Sequence, residues 1–439
     1  MSTFPPGPSS QVLGMISYLR DPMGCMAPMA QKYGDPFSFP GNPPLVCVGD
    51  PAGIRAIYTA EPGTFAPLSS DFAVFLGRTS LLLLGDEEHR RTRRLMTPPF
   101  HGARMRAYGE SMCRLAEAHT VDWKPDQKVS VYEVAQQISL DVILQAVFGV
   151  SEPERMKELA TLLLDLFNGI SPLIALFPSM RREFGGIGPF ASFKRRQRLL
   201  YEHLDALVAA AREDGSREDI LSMLVQARYE DGQPMTEEEL RDQLLLLVVA
   251  GHETTAASIA WAFYALHRPE NAAVLARLRD ELDALGPEPG PEKLDKQPYL
   301  DAVCQETLRR FPLAPAPAPR KLLRPMELLG YSLPVGTGVG VAIGVTHFRE
   351  DLYPEPMRFL PERFLERKFT PFEFVPFGGG ARRCLGAAMA SYEMRLVLAT
   401  VLRRYRLRLA SLRPDKGKVR AANAAPAHGV RMIVEERLA

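Results

Sequence analysis

The stretch Phe377-Gly378-Gly379-Gly380-Ala381-Arg382-Arg383-Cys384-Leu385-Gly386 surrounds one cysteine with a nearly bare backbone and two cations. Three consecutive glycines let the main chain approach a flat partner closely. Its amide N–H groups can then point at a sulfur and stabilise negative charge there. Arg382 and Arg383 add positive charge beside the same atom. Together these features favour the thiolate, the form of cysteine that ligates a metal. A glycine-rich surface turn carrying an incidental cysteine reads similarly, so the choice rests on the rest of the chain.

Three other segments bear on that choice. Glu306-Thr307-Leu308-Arg309 lies in a run, Tyr299 to Phe311, whose apolar residues recur at helical spacing until Pro312 stops it. Glu306 and Arg309 therefore share one helix face. An exposed pair of this kind contributes only about 0.2–0.5 kcal/mol, so its meaning depends on burial. Residues Thr236 to His267 read as one long helix, opened by the capping box Thr236-x-x-Glu239 and closed at Arg268-Pro269. At 1.5 Å per residue it is roughly 45 Å long, enough to cross a whole domain. Leu244 to Ala250 is apolar throughout, as burial all round requires, and Gly251-His252-Glu253-Thr254-Thr255 interrupts it with polar groups. A threonine hydroxyl in mid-helix can bond back to a carbonyl and loosen the turn, and Gly251 makes that easier. A kinked core helix with satisfied polar residues is the plainer alternative. His252-Glu253 begins the zinc motif H-E-x-x-H, but position 256 is alanine, so the second histidine ligand is missing. Finally, His89-Arg90-Arg91-Thr92-Arg93-Arg94 places His89 and Arg93 four apart, on one helix face.

The cysteine loop, the Glu-x-x-Arg helix, Arg363 in Pro361-Glu362-Arg363-Phe364 and the long helix occur in the order and approximate spacing of the cytochrome P450 family, which the chain resembles over nearly its whole length. The resemblance implies a mainly α fold with small β-sheets. One domain, residues 1–439, would hold haem b (iron protoporphyrin IX) between the long helix and the cysteine loop. It implies that Cys384 is the axial iron ligand, with Phe377 and Gly378 against the cofactor. It also implies that Glu306, Arg309 and Arg363 form a buried network bracing the loop, and that His89, Arg93, Arg320 and Arg382 meet the haem propionates. Position 89 departs from a frequent tryptophan in the family. Thr254 and Glu253 would bond dioxygen and deliver protons. Oxygen would then be inserted into a C–H bond, as a hydroxylation or an epoxidation. The family's pocket positions fall here on Phe72, Phe75, Leu82, Leu247, Ala250 and Ala314, nearly all apolar. They suit a fatty acid, terpenoid, steroid or macrolide-like molecule. Arg78 could meet a carboxylate or simply be an exposed loop residue. Alternatives are a peroxide-driven peroxygenase on the same scaffold, a haem-binding sensor or carrier without turnover, and a thiol enzyme using Cys384 as nucleophile.

Composition is compatible and less specific. With 53 Lys+Arg against 52 Asp+Glu there is no footprint for nucleic acid. No glycine loop completes a dinucleotide or P-loop motif, so electrons are expected from a separate protein, which the resemblance implies is a ferredoxin with its reductase. Arg90, Arg91, Arg94 and Arg383 are candidates for docking that donor. The start Met1-Ser2-Thr3-Phe4-Pro5-Pro6-Gly7-Pro8 does not read as a signal peptide or membrane anchor. Continuous apolar runs reach only about seven residues, against roughly twenty for a span. Five scattered cysteines suggest reduced thiols in a cytoplasm. A monomer is expected. Strands are expected at Phe37–Phe39 and Leu45–Val48 around Gly41 to Pro44, within Leu328 to Gly344, and as a pairing of Gly429–Val434 with Tyr405–Leu409. Helices are expected at Pro153–Phe167, Phe190–Arg212 and Asp219–Tyr229.

Overall fold

The computed structural model describes residues 4–438 except 42, 43, 172, 173, 175–177, 184, 215, 216, 218, 317, 421 and 422. The chain is mainly helical with small sheets. It forms two compact units, each assembled from discontinuous segments. One comprises residues up to Pro67, Gly102–Ser139 and everything from Glu253 onward; the other comprises Leu68–His101 and Leu140–His252.

In the first unit, Phe37–Phe39 and Leu45–Val48 form the expected antiparallel pair, with Ser38 opposite Val46. Asn42 and Pro43 of the expected turn lie outside the described residues. Leu45–Val48 also pairs in parallel with Gly338–Val341, which in turn pairs with Arg320–Lys321. A second sheet joins Tyr405–Leu409, Arg431–Arg437 and Lys128–Ser130, with Met432 opposite both Leu409 and Val129. Val46, Val48, Val339, Ile54, Ile57 and Val375 share one core between the first sheet and the helix Pro51–Tyr58. Burying a large aliphatic side chain contributes roughly 1.5–3 kcal/mol, so this core firmly locates Val375, nine residues before the cysteine. The helix Pro298–Arg310 ends at Phe311 as expected, and Phe311 stacks on the fully buried Trp261 at 4.7 Å.

In the second unit, the helix Pro189–Glu213 packs Phe193, Leu200, Leu204 and Val208 into the interior and lies against the helices Pro153–Asn168 and Ile220–Gln226. The last is shorter than the expected Asp219–Tyr229. Asp219 is its N-cap, accepting from the Ser222 N–H at 2.8 Å, and Ala227 leaves helical geometry.

The long helix runs Glu237–Leu266. Its capping box is formed in both directions: the Thr236 N–H donates to Glu239 Oε2 at 2.7 Å and the Glu239 N–H to Thr236 Oγ1 at 3.2 Å. It continues unbroken through Ala250–Thr255, where a loosened turn is expected from the sequence. The residue at 251 answers a packing constraint, because a Cβ there would meet the Ile143 side chain at 3.1 Å. Although its uninterrupted apolar runs are short, by length and composition the whole helix could cross a membrane; 72% of its apolar window is buried within the protein.

Candidate functional site

Cys384 sits three residues before the helix Ala387–Arg404, on a loop closed by its own N–H donating to Phe377 O at 2.9 Å. Of the five cysteines it is the exposed one, and none is in a disulfide. Burial pushes the Cys25 thiol up to about 12 and raises Cys47, Cys113 and Cys304 as well. Those four are thereby disfavoured as thiolates. The position of Cys384, ahead of a helix N-terminus, suits a negative sulfur.

The glycines of the loop have a role that sequence reasoning assigned elsewhere. Gly378 and Gly380 have φ of 65° and 63°, a region L side chains rarely adopt. At Gly379 a Cβ would come within 2.2 Å of the Tyr58 ring, and at Gly380 within 2.5 Å of the Tyr58 carbonyl oxygen. Two of the three glycines thus allow close packing on the helix Pro51–Tyr58, in addition to leaving the loop bare.

Behind the loop lies the charged network. Glu306 and Arg309 are fully buried and Arg363 is 7% exposed. Arg309 donates through Nε and Nη2 to the two Glu306 carboxylate oxygens at 2.7 and 2.8 Å, a bidentate pair. Leu360 N–H and Arg363 Nε also donate to Oε1, at 2.9 and 3.4 Å. Burial pushes the Arg363 guanidinium below its usual value, and Glu306 pulls it back.

This network reaches the loop through a residue that the sequence reading missed. Arg309 Nη1 donates to the His347 carbonyl at 2.8 Å, and His347 Nε2 accepts from the Val375 N–H at 3.0 Å. The Val375 carbonyl in turn accepts from Gly378 N–H at 3.1 Å. His347 is fully buried, and burial pushes its imidazole down to about 3. It is therefore neutral, as an acceptor at Nε2 must be. No local pattern marks it, because its partners are 28 and 38 residues away.

On the long helix, Glu253 and Thr254 are half-buried and Ala250 is exposed, although Leu244–Val248 and Ala256–Ala257 are buried. Glu253 Oε1 accepts from the Tyr132 hydroxyl at 3.3 Å. Burial, then the Glu253 charge, raises the Tyr132 phenol, so it stays a donor. Arg420 lies 5.2 Å over the same ring. Tyr132 too was missed, having no motif around it. Arg320 donates to the carbonyls of Phe65 and Ala66, both at 3.3 Å, and Arg382 is half-buried in the turn Gly380–Arg382. Ala314 is exposed.

In the second unit, the helix Asp86–Met96 turns His89, 4% exposed, and the half-buried Arg93 to one face, with Arg90, Arg91 and Arg94 exposed on the other. Arg91 and Arg94 are not open cations: they pair with Asp231 and Glu230, and Arg91 stacks 4.0 Å over Tyr229. Arg90 and Arg383 are exposed. Phe75 is buried against Phe193 at 5.5 Å, Leu247 is buried, and Phe72 and Leu82 are exposed. Arg78 is exposed and paired with Glu238 at 3.3 Å.

Comparison with known proteins identifies the family. The family model described as Cytochrome P450 matches residues 5–423. A Mycobacterium tuberculosis protein described as a cytochrome P450 135B1 is 36% identical, over 98% of this chain and 91% of its own length. A second from the same species, described as a cytochrome P450 135A1, is 34% identical over 99% and 96%. Among solved structures, a retinoic acid-bound cyanobacterial CYP120A1 aligns over both full chains with a TM-score of 0.83 and 27% identity. The haem domain of cytochrome P450DA has a TM-score of 0.84 at 21% identity, covering 100% of this chain and 98% of that one, a likeness of fold.

Proposed function

The chain belongs to the cytochrome P450 family of haem-thiolate monooxygenases, and from that premise we propose that it hydroxylates or epoxidises a sizeable hydrophobic molecule, taking electrons from a ferredoxin and its reductase. The observation that carries this reading is Cys384, the exposed thiol among five, held ahead of a helix N-terminus by a loop that the buried Glu306–Arg309–Arg363 network supports through His347. The accessible Cys384 thiol suits the iron of haem b, and Arg382 and Arg320 of the same unit offer cationic groups for its propionates; the family resemblance adds His89 and Arg93 as further candidates. Phe377 and Gly378 would lie against the macrocycle. When bound, the haem supplies activation of dioxygen with thiolate electron donation.

The remaining tasks fall to side chains of this chain. Thr254 offers a hydroxyl and Glu253 a carboxylate on adjacent positions of the long helix, half-buried and able to exchange protons with solvent. Tyr132 holds Glu253 by its phenolic hydrogen bond and so restricts which way the carboxylate turns. Two protons and two electrons per O2 are required to leave one oxygen in product and one in water. Phe72, Phe75, Leu82, Leu247, Ala250 and Ala314 would line the pocket. The retinoic acid of the cyanobacterial relative, an isoprenoid acid, supports a terpenoid-like or fatty substrate. The buried, unpaired thiols Cys25, Cys47 and Cys304 support a reducing compartment, the cytoplasm. We take the active species to be a monomer, its long helix serving as a core element.

The test is turnover of a terpenoid and fatty acid panel under 18O2 with a surrogate ferredoxin and ferredoxin reductase. One labelled oxygen per product is expected. In Thr254→Ala, reductant consumption is expected to continue while hydrogen peroxide replaces product. Product without label, or tight coupling in Thr254→Ala, would refute the reading.

A further inference from the structure

Asp242 and Gln243 are buried polar residues, 3% and 0% exposed, in a stretch of the long helix whose other buried members are Leu240 and Leu244–Val248. Polar side chains in such a place are destabilising unless hydrogen-bonded. Among the described residues, their side-chain partners are Thr79 and Leu81, on the loop that follows the short helix Ala73–Leu76. Asp242 Oδ2 accepts from the Thr79 N–H at 2.9 Å and from the Thr79 hydroxyl at 2.7 Å. Gln243 Oε1 accepts from the Leu81 N–H at 2.9 Å, and Gln243 Nε2 donates back to the Thr79 carbonyl. The loop has shaped itself to this contact. Gly77 has φ of 82°, and a Cβ there would fall 1.9 Å from the Asp242 carboxylate. The short helical turns just before the loop are held by side chains on their carbonyls: Gln197 donates to Val74 O at 3.2 Å and Arg181 to Asp71 O at 2.9 Å.

Asp242 and Gln243 precede Leu246 and Leu247 by one helical turn, and so share their face. Thr79 and Leu81 precede or begin the apolar run Leu81–Leu84. We propose that Asp242 and Gln243 are a clip that fixes this loop to the long helix, and that by setting the gap between Leu81–Leu84 and Leu246–Leu247 they select substrates by size. The selectivity role rests on the pocket reading above. The clip acts as a positioning device, because neither side chain need touch substrate. Its four bonds satisfy three backbone groups and one hydroxyl that a free loop would give to water, so losing them releases the loop without emptying a core.

The experiment compares wild-type holoprotein with Asp242→Ala, Gln243→Ala and the milder Thr79→Val, which removes only the hydroxyl of a half-buried residue. Amide hydrogen exchange is read at Thr79 and Leu81. Soret titrations with 4-phenylimidazole and the bulky clotrimazole give a ratio of Kd values. At full haem content, exchange at the two amides is expected to rise at least tenfold in the alanine variants. The Kd ratio should shift about tenfold toward clotrimazole, with Thr79→Val intermediate in both. Unchanged exchange would overturn the clip, and faster exchange with an unchanged ratio would overturn its role in selectivity. A wild type that binds neither azole would refute the pocket reading and the selectivity role with it, while exchange would still judge the clip.

Discussion

Replacing Glu306 with alanine tests a fully buried charge. The carboxylate is wholly inaccessible and receives hydrogen bonds from Arg309 twice, from the Leu360 N–H and from Arg363. Removing one partner of a buried ion pair costs about 3–5 kcal/mol, because the remaining charge is left unsolvated. Here two guanidiniums are left. The orphaned Leu360 N–H adds about 1–3 kcal/mol. Against a typical total stability of 5–15 kcal/mol, the loss approaches the whole. Glu355 and Arg358 provide the control: the same residue types at the same spacing bond at 2.9 Å but are 61% and 63% exposed, a situation worth roughly 0–1 kcal/mol. The assay is haem-to-protein ratio and denaturant midpoint of purified variants. Glu306→Ala is expected to hold little or no haem, and Glu306→Asp, with its charge kept but its reach shortened, an intermediate amount. Glu355→Ala is expected to match wild type. Full haem and an unchanged midpoint in Glu306→Ala would refute the reasoning that burial makes this network structural.

Two further perturbations follow from particular contacts. Gly379→Ala should destabilise the cysteine loop by about 1–3 kcal/mol through overpacking on the Tyr58 ring, and Tyr58→Ala should restore its thiolate-ligated fraction. Gly380→Ala should resist the same rescue, because its obstacle is the Tyr58 carbonyl; equal rescue of both by CO spectroscopy would contradict this. Burial pushes the Glu393 carboxyl up to about 8 from its ordinary 4.5. The folded state then keeps a proton that the unfolded state has released, so stability contributed below about pH 4.5 is lost as pH rises toward 8, at roughly 1.4 kcal/mol per pH unit. In Glu393→Gln that slope should vanish from the pH dependence of the unfolding midpoint; an identical slope in both proteins would exclude Glu393 as its source.

The cysteine loop, the Glu-x-x-Arg helix and the long helix were legible because each is a local pattern: glycines with a cysteine, a three-residue spacing, a capping box ahead of an apolar run. The two hairpin-like pairings were legible from alternation and turns. What could not be read was set by distant contact. The parallel pairing of Leu45–Val48 with Gly338–Val341 joins segments almost 300 residues apart. The polar pair Asp242 and Gln243 reads as two residues of a helix until Thr79 and Leu81 are seen beside them. His347 and Tyr132 act only through partners remote in sequence. The arginine patch shows the reverse error. Arg91 and Arg94 look like open cations in sequence, and the turn carrying Glu230 and Asp231 neutralises them in space.

Cys384 as the thiolate ligand of a haem iron is the claim on which the rest depends. Its most direct test is the carbon monoxide difference spectrum of the dithionite-reduced, purified protein, beside that of Cys384→Ser. The wild type should give the strongly red-shifted Soret band of a thiolate-ligated haem, and Cys384→Ser should lose it. A wild-type band at the position typical of histidine ligation, or an unaltered band in Cys384→Ser, would contradict the account.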